Sequence, residues 1–194
     1  MVATIGVLAL QGGYEAHARV LHGLGAVVVE VRVPAELQGL DGLIIPGGES
    51  TTMTIGVERE GLAQPLRALA QAGLPMFGSC AGMIMFDRQH LGVMDIAVER
   101  NAFGRQVNSF EADLEMLPND RGDGDEPLRA VFIRAPWLED AGADVDVLAE
   151  VDGHPVLARE GRLLVAAFHP ELTDDTRVHE RFLNLVREET DVRA

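Results

Sequence analysis

The chain holds one cysteine, Cys80, and the residues around it are of a kind that makes a sulfur reactive. Cys80 is central in Gly78-Ser79-Cys80-Ala81-Gly82, after the apolar run Leu74-Pro75-Met76-Phe77 and before a helix-like stretch. This is the thiol form of a nucleophile elbow, a sharp strand-to-helix turn that lifts one side chain off the end of a strand. Glycines two before and two after the nucleophile spare the turn a collision with a neighbouring strand or helix. The start of a helix also offers backbone N–H groups and a positive dipole end, which favour a thiolate over a thiol. A lone cysteine is more often an inert core residue, but the glycine spacing and two further segments weigh against that here.

A thiol nucleophile needs a base to take its proton, and the base needs an acceptor to orient it. His169-Pro170-Glu171 supplies both. The apolar run 163–168 ends at His169, which puts the imidazole at the carboxyl end of a strand, where open α/β sheets gather their sites. Glu171, two residues on, can hold one ring nitrogen while the other faces Cys80. The remaining histidines, His17, His22, His90, His154 and His179, stand in helical or turn contexts and are assigned no chemistry.

The third segment is Pro46-Gly47-Gly48-Glu49-Ser50-Thr51-Thr52. Paired glycines between a strand and a helix can turn backbone N–H groups inward, as an oxyanion hole requires; Gly48 N–H and Ala81 N–H are the expected donors. Ser50 or Thr51 would cap the following helix. A phosphate cradle is the weaker use of such a loop, because no lysine accompanies it.

The elements that must position these groups follow from the pattern. Apolar runs at 4–10, 26–31 and 43–45, with the short run into Cys80, alternate with amphipathic helices, one of them with Tyr14, His17, Ala18 and Leu21 on a single face. That alternation predicts an α/β fold: a mostly parallel central sheet with helices on both faces. Gly23 and Gly25 close the first helix, and Asp41-Gly42 reads as the turn before the third strand. After the elbow, runs at 96–98, 110–114, 131–133, 145–151, 156–158 and 163–168 arrive without long helices between them and are expected as antiparallel hairpins added to the sheet. The acidic, glycine-rich stretch 118–126 lacks the spacing of an EF-hand and reads as a solvated turn. A closing helix carries Val178, Phe182, Leu185 and Val186 on one face.

A chain of 194 residues, 47% hydrophobic, fits one domain spanning 1–194. A formal charge of -15 argues against nucleic acid or anionic membranes as partners. All 16 basic residues are arginine, which excludes a lysine Schiff base and a Walker-type phosphate lysine. With a single cysteine and an opening apolar run too short for a signal peptide or membrane span, a cytoplasmic protein is expected. No metal site and no cofactor are expected.

In order, the three segments resemble the class I glutamine amidotransferases, whose pattern is an oxyanion glycine loop, a G-x-C-x-G elbow and a late H-P-E. Finer matches at Leu10-Gln11-Gly12, Glu99-Arg100-Asn101-Ala102-Phe103-Gly104-Arg105-Gln106, Ser109-Phe110-Glu111, Phe132-Ile133-Arg134-Ala135-Pro136 and Phe168-His169-Pro170-Glu171-Leu172-Thr173 are similar to the glutaminase subunits of two-protein, ribose-5-phosphate-dependent pyridoxal 5'-phosphate synthases. The resemblance covers 4 to about 186. It implies a flavodoxin-like core and hydrolysis of L-glutamine to L-glutamate and ammonia, the ammonia passing through a tunnel to a barrel-shaped, oligomeric synthase subunit that makes vitamin B6 cofactor. It assigns Cys80 as nucleophile, His169 as base and acid, and Glu171 as orienter. Glutamine would be bound by Gly48, Glu49, Ser50, Arg105, Ile133 and Arg134, and Gln11 would lie at the partner interface. A flip of the Gly47-Gly48 peptide would accompany docking. The segment Phe86-Asp87-Arg88-Gln89 is shorter than is usual in that family and is expected near the rim of the site. Alternative readings are the glutaminase of another pathway, such as imidazole glycerol phosphate synthesis, a cysteine peptidase-like hydrolase, and a binding module without turnover.

Overall fold

The computed structural model describes residues 2–100, 102, 109–116 and 126–193. Arg105 and residues 117–125, most of the acidic stretch, lie outside them. The first half alternates as expected: β1 (Thr4–Leu8), α1 (Tyr14–Gly23), β2 (Val27–Val31), β3 (Gly42–Ile45), α2 (Ser50–Arg59), α3 (Ala63–Gln71), β4 (Met76–Ser79) and α4 (Ala81–Phe86). The second half runs β5 (Ile96–Glu99), β6 (Ser109–Leu114), β7 (Leu128–Ile133), β8 (Trp137–Ala141), β9 (Val145–Val151), β10 (His154–Glu160), β11 (Leu163–Ala166) and α5 (Arg177–Arg193).

Seven strands form the main sheet in the order β2-β1-β3-β4-β11-β10-β9. The first five are mutually parallel and the last two antiparallel. The order 2-1-3-4 followed by the next parallel strand is that of flavodoxin-like folds. Only β9 and β10 extend the sheet as a hairpin. β6 and β7 pair with each other in a separate ribbon, and β5 pairs with β8, a strand the apolar pattern did not reveal because Trp137-Leu138-Glu139-Asp140-Ala141 carries two acids. Among the described residues no helix is long and apolar enough to cross a membrane.

Alternation along β4 decides which helices see the site. Phe77 faces the side covered by α1 and α5, where its ring meets those of His17, His179 and Phe182 at 5.9–6.2 Å. Gly78 therefore faces the opposite side, and a Cβ on it would lie 2.7 Å from the backbone of Gly82 in α4. Gly42 is not a turn residue. It opens β3, and a side chain there would strike Val186 and Phe182 of α5 at 2.8 and 2.9 Å. The short segment Phe86-Asp87-Arg88-Gln89 stands at the far end of α4, roughly 9 Å from its start at a rise of about 1.5 Å per residue. It folds around buried Asp87, whose Oδ1 accepts from Gln89 N at 2.8 Å and His90 N at 3.0 Å. None of these four residues lines the cavity beside Cys80.

Candidate active site

Four loops leave the carboxyl ends of β1, β3, β4 and β11 and converge. Cys80, directly after β4, has φ 48° and ψ -102°, a conformation that few residues with a side chain adopt and that is stored at sites where the surroundings enforce it. The enforcement is visible. Cys80 N donates to Ala166 O at 2.7 Å, and α4 starts so close to β3 that a Cβ on Gly82 would stand 2.0 Å from Ile45 O. Both elbow glycines are thus required by backbone proximity, as the spacing suggested.

Gly47 is the meeting point. A Cβ there would lie 2.4 Å from His169 Cε1, 2.9 Å from its Nδ1 and 3.3 Å from Cys80 Cβ, so only glycine lets the imidazole and the cysteine approach across the loop. Both side chains thus flank the Gly47 Cα; Cys80 Sγ donates to Ile133 O at 3.9 Å, and His169 Nδ1 is 2.8 Å from Glu171 Oε1. Burial alone would keep the imidazole neutral, but the sulfur and the carboxylate outweigh it and push His169 up to about 10. Glu171 is nearly fully buried. Burial opposes its charge as well, yet His17 and His169 hold it below the ordinary carboxylate value.

The cavity above the sulfur, about 250 Å³, is lined by Gly48, Glu49, Ser50, Cys80, Ala81, Ile84, Arg100, Ile133, Arg134 and His169. Of the expected site residues within the described chain, Gly48, Glu49, Ser50, Cys80, Ala81, Ile133, Arg134 and His169 line it, whereas Glu171, Gln11 and Gly47 are not in its lining. Gln11 clamps the backbone of residue 49: its Nε2 donates to Glu49 O at 3.0 Å and its Oε1 accepts from Glu49 N at 3.1 Å. The carbonyl of Gly47 accepts from Gly13 N at 2.9 Å, which sets the Gly47-Gly48 peptide and turns Gly48 N–H the other way. Glu49, and not Ser50 or Thr51, caps α2. Its carboxylate accepts from Thr51 N at 3.1 Å and Thr52 N at 2.7 Å, and these bonds draw its pKa down to about 2. An acid can cap because the helix N-terminus offers free N–H groups and a positive end.

Two features escaped the sequence reading. Arg100 lines the cavity and approaches Glu49 at 3.7 Å; its place within the Glu99-to-Gln106 motif was the available signal. His17 and His179, both fully buried, lie behind Glu171: His17 Nδ1 is 2.9 Å from His179 Nε2, and His17 Nε2 is 2.9 Å from Ser79 Oγ and 3.3 Å from Glu171 Oε2. Neither could be found from local sequence, because the two rings are 162 positions apart.

Known proteins resemble this chain over nearly its whole length. It is 52% identical over 191 residues to the pyridoxal 5'-phosphate synthase subunit PdxT of Geobacillus kaustophilus, covering 95% of each. It is 53% identical over 194 residues to the protein of the same name from Frankia alni, covering 94% of each. A solved structure described as a glutamine amidotransferase superposes with a TM-score of 0.84 at 44% identity, covering 94% of this chain and 98% of that one. The family description "SNO glutamine amidotransferase family" matches residues 7–188. With the elbow, the histidine and the glycine loop drawn to one cavity and similarity running from end to end, the chain belongs to the SNO glutamine amidotransferase family.

Proposed function

We propose that this chain hydrolyses L-glutamine to L-glutamate and ammonia as the glutaminase subunit of a pyridoxal 5'-phosphate synthase. The observation that carries the reading is the meeting of Cys80 and His169 across Gly47, in a chain half identical to subunits of that enzyme.

In this reading the Cys80 thiolate attacks the side-chain carboxamide carbon. A C–S bond forms and the carbonyl electron pair moves onto oxygen, where Gly48 and Ala81 N–H groups receive it. His169, held by Glu171, gives its proton to the departing nitrogen as the C–N bond breaks. Water then surrenders a proton to the same imidazole and attacks the thioester; the C–S bond breaks, freeing glutamate and restoring the thiolate. Ser50, Glu49 and the backbone at Ile133 flank the substrate, and Arg134 with Arg105 pairs with its α-carboxylate. The ammonia passes to a barrel-shaped, oligomeric synthase subunit that docks over Gln11, and the whole chain acts as one cytoplasmic domain.

The test is an assay of ammonia and of pyridoxal 5'-phosphate, with and without a pyridoxal 5'-phosphate synthase partner subunit. Glutamine-dependent ammonia release that rises with the partner is expected. Cleavage of peptides without glutamine dependence would sink the reading.

A further inference from the structure

The third member of the triad is itself held from behind. Glu171 Oε1 faces His169, and its other oxygen, Oε2, points away from the cavity into a pocket between α1, α5 and β4. A buried carboxylate oxygen without a donor is costly. Oε2 has no hydrogen-bond partner among the described residues; the group that stands against it is His17 Nε2 at 3.3 Å, whose own hydrogen bond is with Ser79 Oγ at 2.9 Å.

The proton positions follow from the neighbours. A bare Nε2 lone pair against a carboxylate would be repulsive, so Nε2 carries the proton. Burial keeps the His17 imidazole neutral in spite of Glu171, which leaves Nδ1 as an acceptor. His179 Nε2, 2.9 Å away, must then donate to it, and His179 Nδ1 is the bare nitrogen. That atom has no hydrogen-bond partner among the described residues, and an acceptor left so costs less than an orphaned N–H. The opposite direction would bury an orphan donor and set two lone pairs face to face. The chain of donors therefore runs one way, His179 to His17 to the Ser79–Glu171 pair. Two nitrogens bound to one zinc ion at tetrahedral angles would stand about 3.3 Å apart, so the 2.9 Å between these rings is a hydrogen bond and not a metal seat. Phe77 closes the far side of both rings with edge contacts.

We infer that His17, backed by His179, is a positioning residue: bonded to Ser79 and set with its Nε2 edge 3.3 Å from the inner oxygen of Glu171, it favours the carboxylate orientation in which the outer oxygen stays aimed at His169. The inference rests on the triad proposed above, and it adds a step that connects α1 and α5 to the reacting sulfur. The titratable groups facing His17 are Glu171, His169 and His179, and those facing His179 are His17 and Glu171.

The deciding experiment compares His17→Leu, which removes the donor, with His17→Gln, whose amide N–H can take the place of Nε2–H. Cys80 is alkylated with iodoacetamide across pH in the free chain, a readout that needs neither glutamine nor partner; kcat and KM for glutamine are measured with the synthase subunit present. In His17→Leu the imidazolium loses its aimed anion, and the His169-linked step of the alkylation profile is expected to fall by about half a pH unit or more, a modest part of what a facing carboxylate supplies. The kcat is expected to drop about tenfold, the scale on which outer groups that orient a working side chain act, with KM changed less than about twofold. His17→Gln should recover both. A folded His17→Leu protein with the unaltered profile and kcat overturns the inference. Should His17→Leu not fold, His179→Gln against His179→Phe poses the same question one ring further out, and identical profiles in that pair overturn it too. Absence of any His169-linked step in the unaltered protein would remove the triad and this inference with it, whereas a normal step without ammonia release would remove only the glutaminase reading.

Discussion

Cys80 occupies a backbone conformation that its own side chain disfavours, and the imidazole of His169 fills the space that a side chain on Gly47 would need. The two side chains thus come close only because residue 47 has no side chain of its own. Cys80→Ala should abolish ammonia release while leaving glutamine binding measurable by calorimetry. Glu171→Gln should lower kcat less than His169→Asn does, because the base survives when its orienter is lost; equal, negligible effects in two folded proteins would count against the triad. The buried histidines also set the acid limb of stability. His179 titrates near 6.5 when unfolded, and burial, reinforced by His17 and only partly opposed by Glu171, lowers it to about 3 in the fold. Between those values the unfolded chain binds a proton that the native state refuses, so its contribution is full above 6.5 and is lost as pH falls toward 3. His169 has the opposite sign: its contribution is full below 6.5 and fades as pH rises through about 10. His179→Gln, which cannot titrate, should therefore shrink the difference in Tm between pH 7 and pH 5, read by calorimetry. Cys80, His169 and Glu171, the proposed triad, stood out in the sequence because their local spacing carries a signature. His17 was not, since a histidine on an apolar helix face reads the same whether it packs or positions.

Among the elements, α4 is held against β3 without the room for one methyl group. Gly82→Ala must push the Ile45 carbonyl away from 2.0 Å, and the expected cost is about 1–3 kcal/mol, typical of overpacking, with a slower alkylation of Cys80 as the elbow shifts. Gln11 acts on the other loop. Its two hydrogen bonds to residue 49 hold the glycine loop from the turn after β1, so Gln11→Ala should loosen that loop and reduce the stimulation of glutamine hydrolysis by the synthase more than the unstimulated rate. A ratio of stimulated to unstimulated rates equal to that of the unaltered chain would contradict this. The parallel strands and their helices were readable from period alone, since strands buried on both faces are continuously apolar. β8 was not, because its acids face solvent and only pairing with β5 makes it a strand.

For the molecule as a whole, we propose the Gly47-Gly48 peptide as the point where docking reaches the chemistry. Turning it requires breaking the bond from Gly13 N to Gly47 O, and a missing oxyanion donor costs about a hundredfold or more in kcat. Addition of the synthase subunit should accordingly raise ammonia release by about that factor if docking sets the peptide, and by much less in a Gly47→Ala chain, where His169 is displaced. The amino-acid order by itself determined the fold class and singled out the proposed nucleophile, its proposed base and the glycine loop, because each depends on short-range spacing: period in the strands, small residues about the elbow, an acid two residues beyond a histidine. Tertiary structure alone decided that the Glu49 carboxylate is spent on a helix cap, that the shortened turn after Phe86 does not line the cavity, and that His17 and His179 stand behind Glu171. The last of these depends on which helices cover one face of the sheet, and contacts between α1 and α5 leave no periodic trace in either segment.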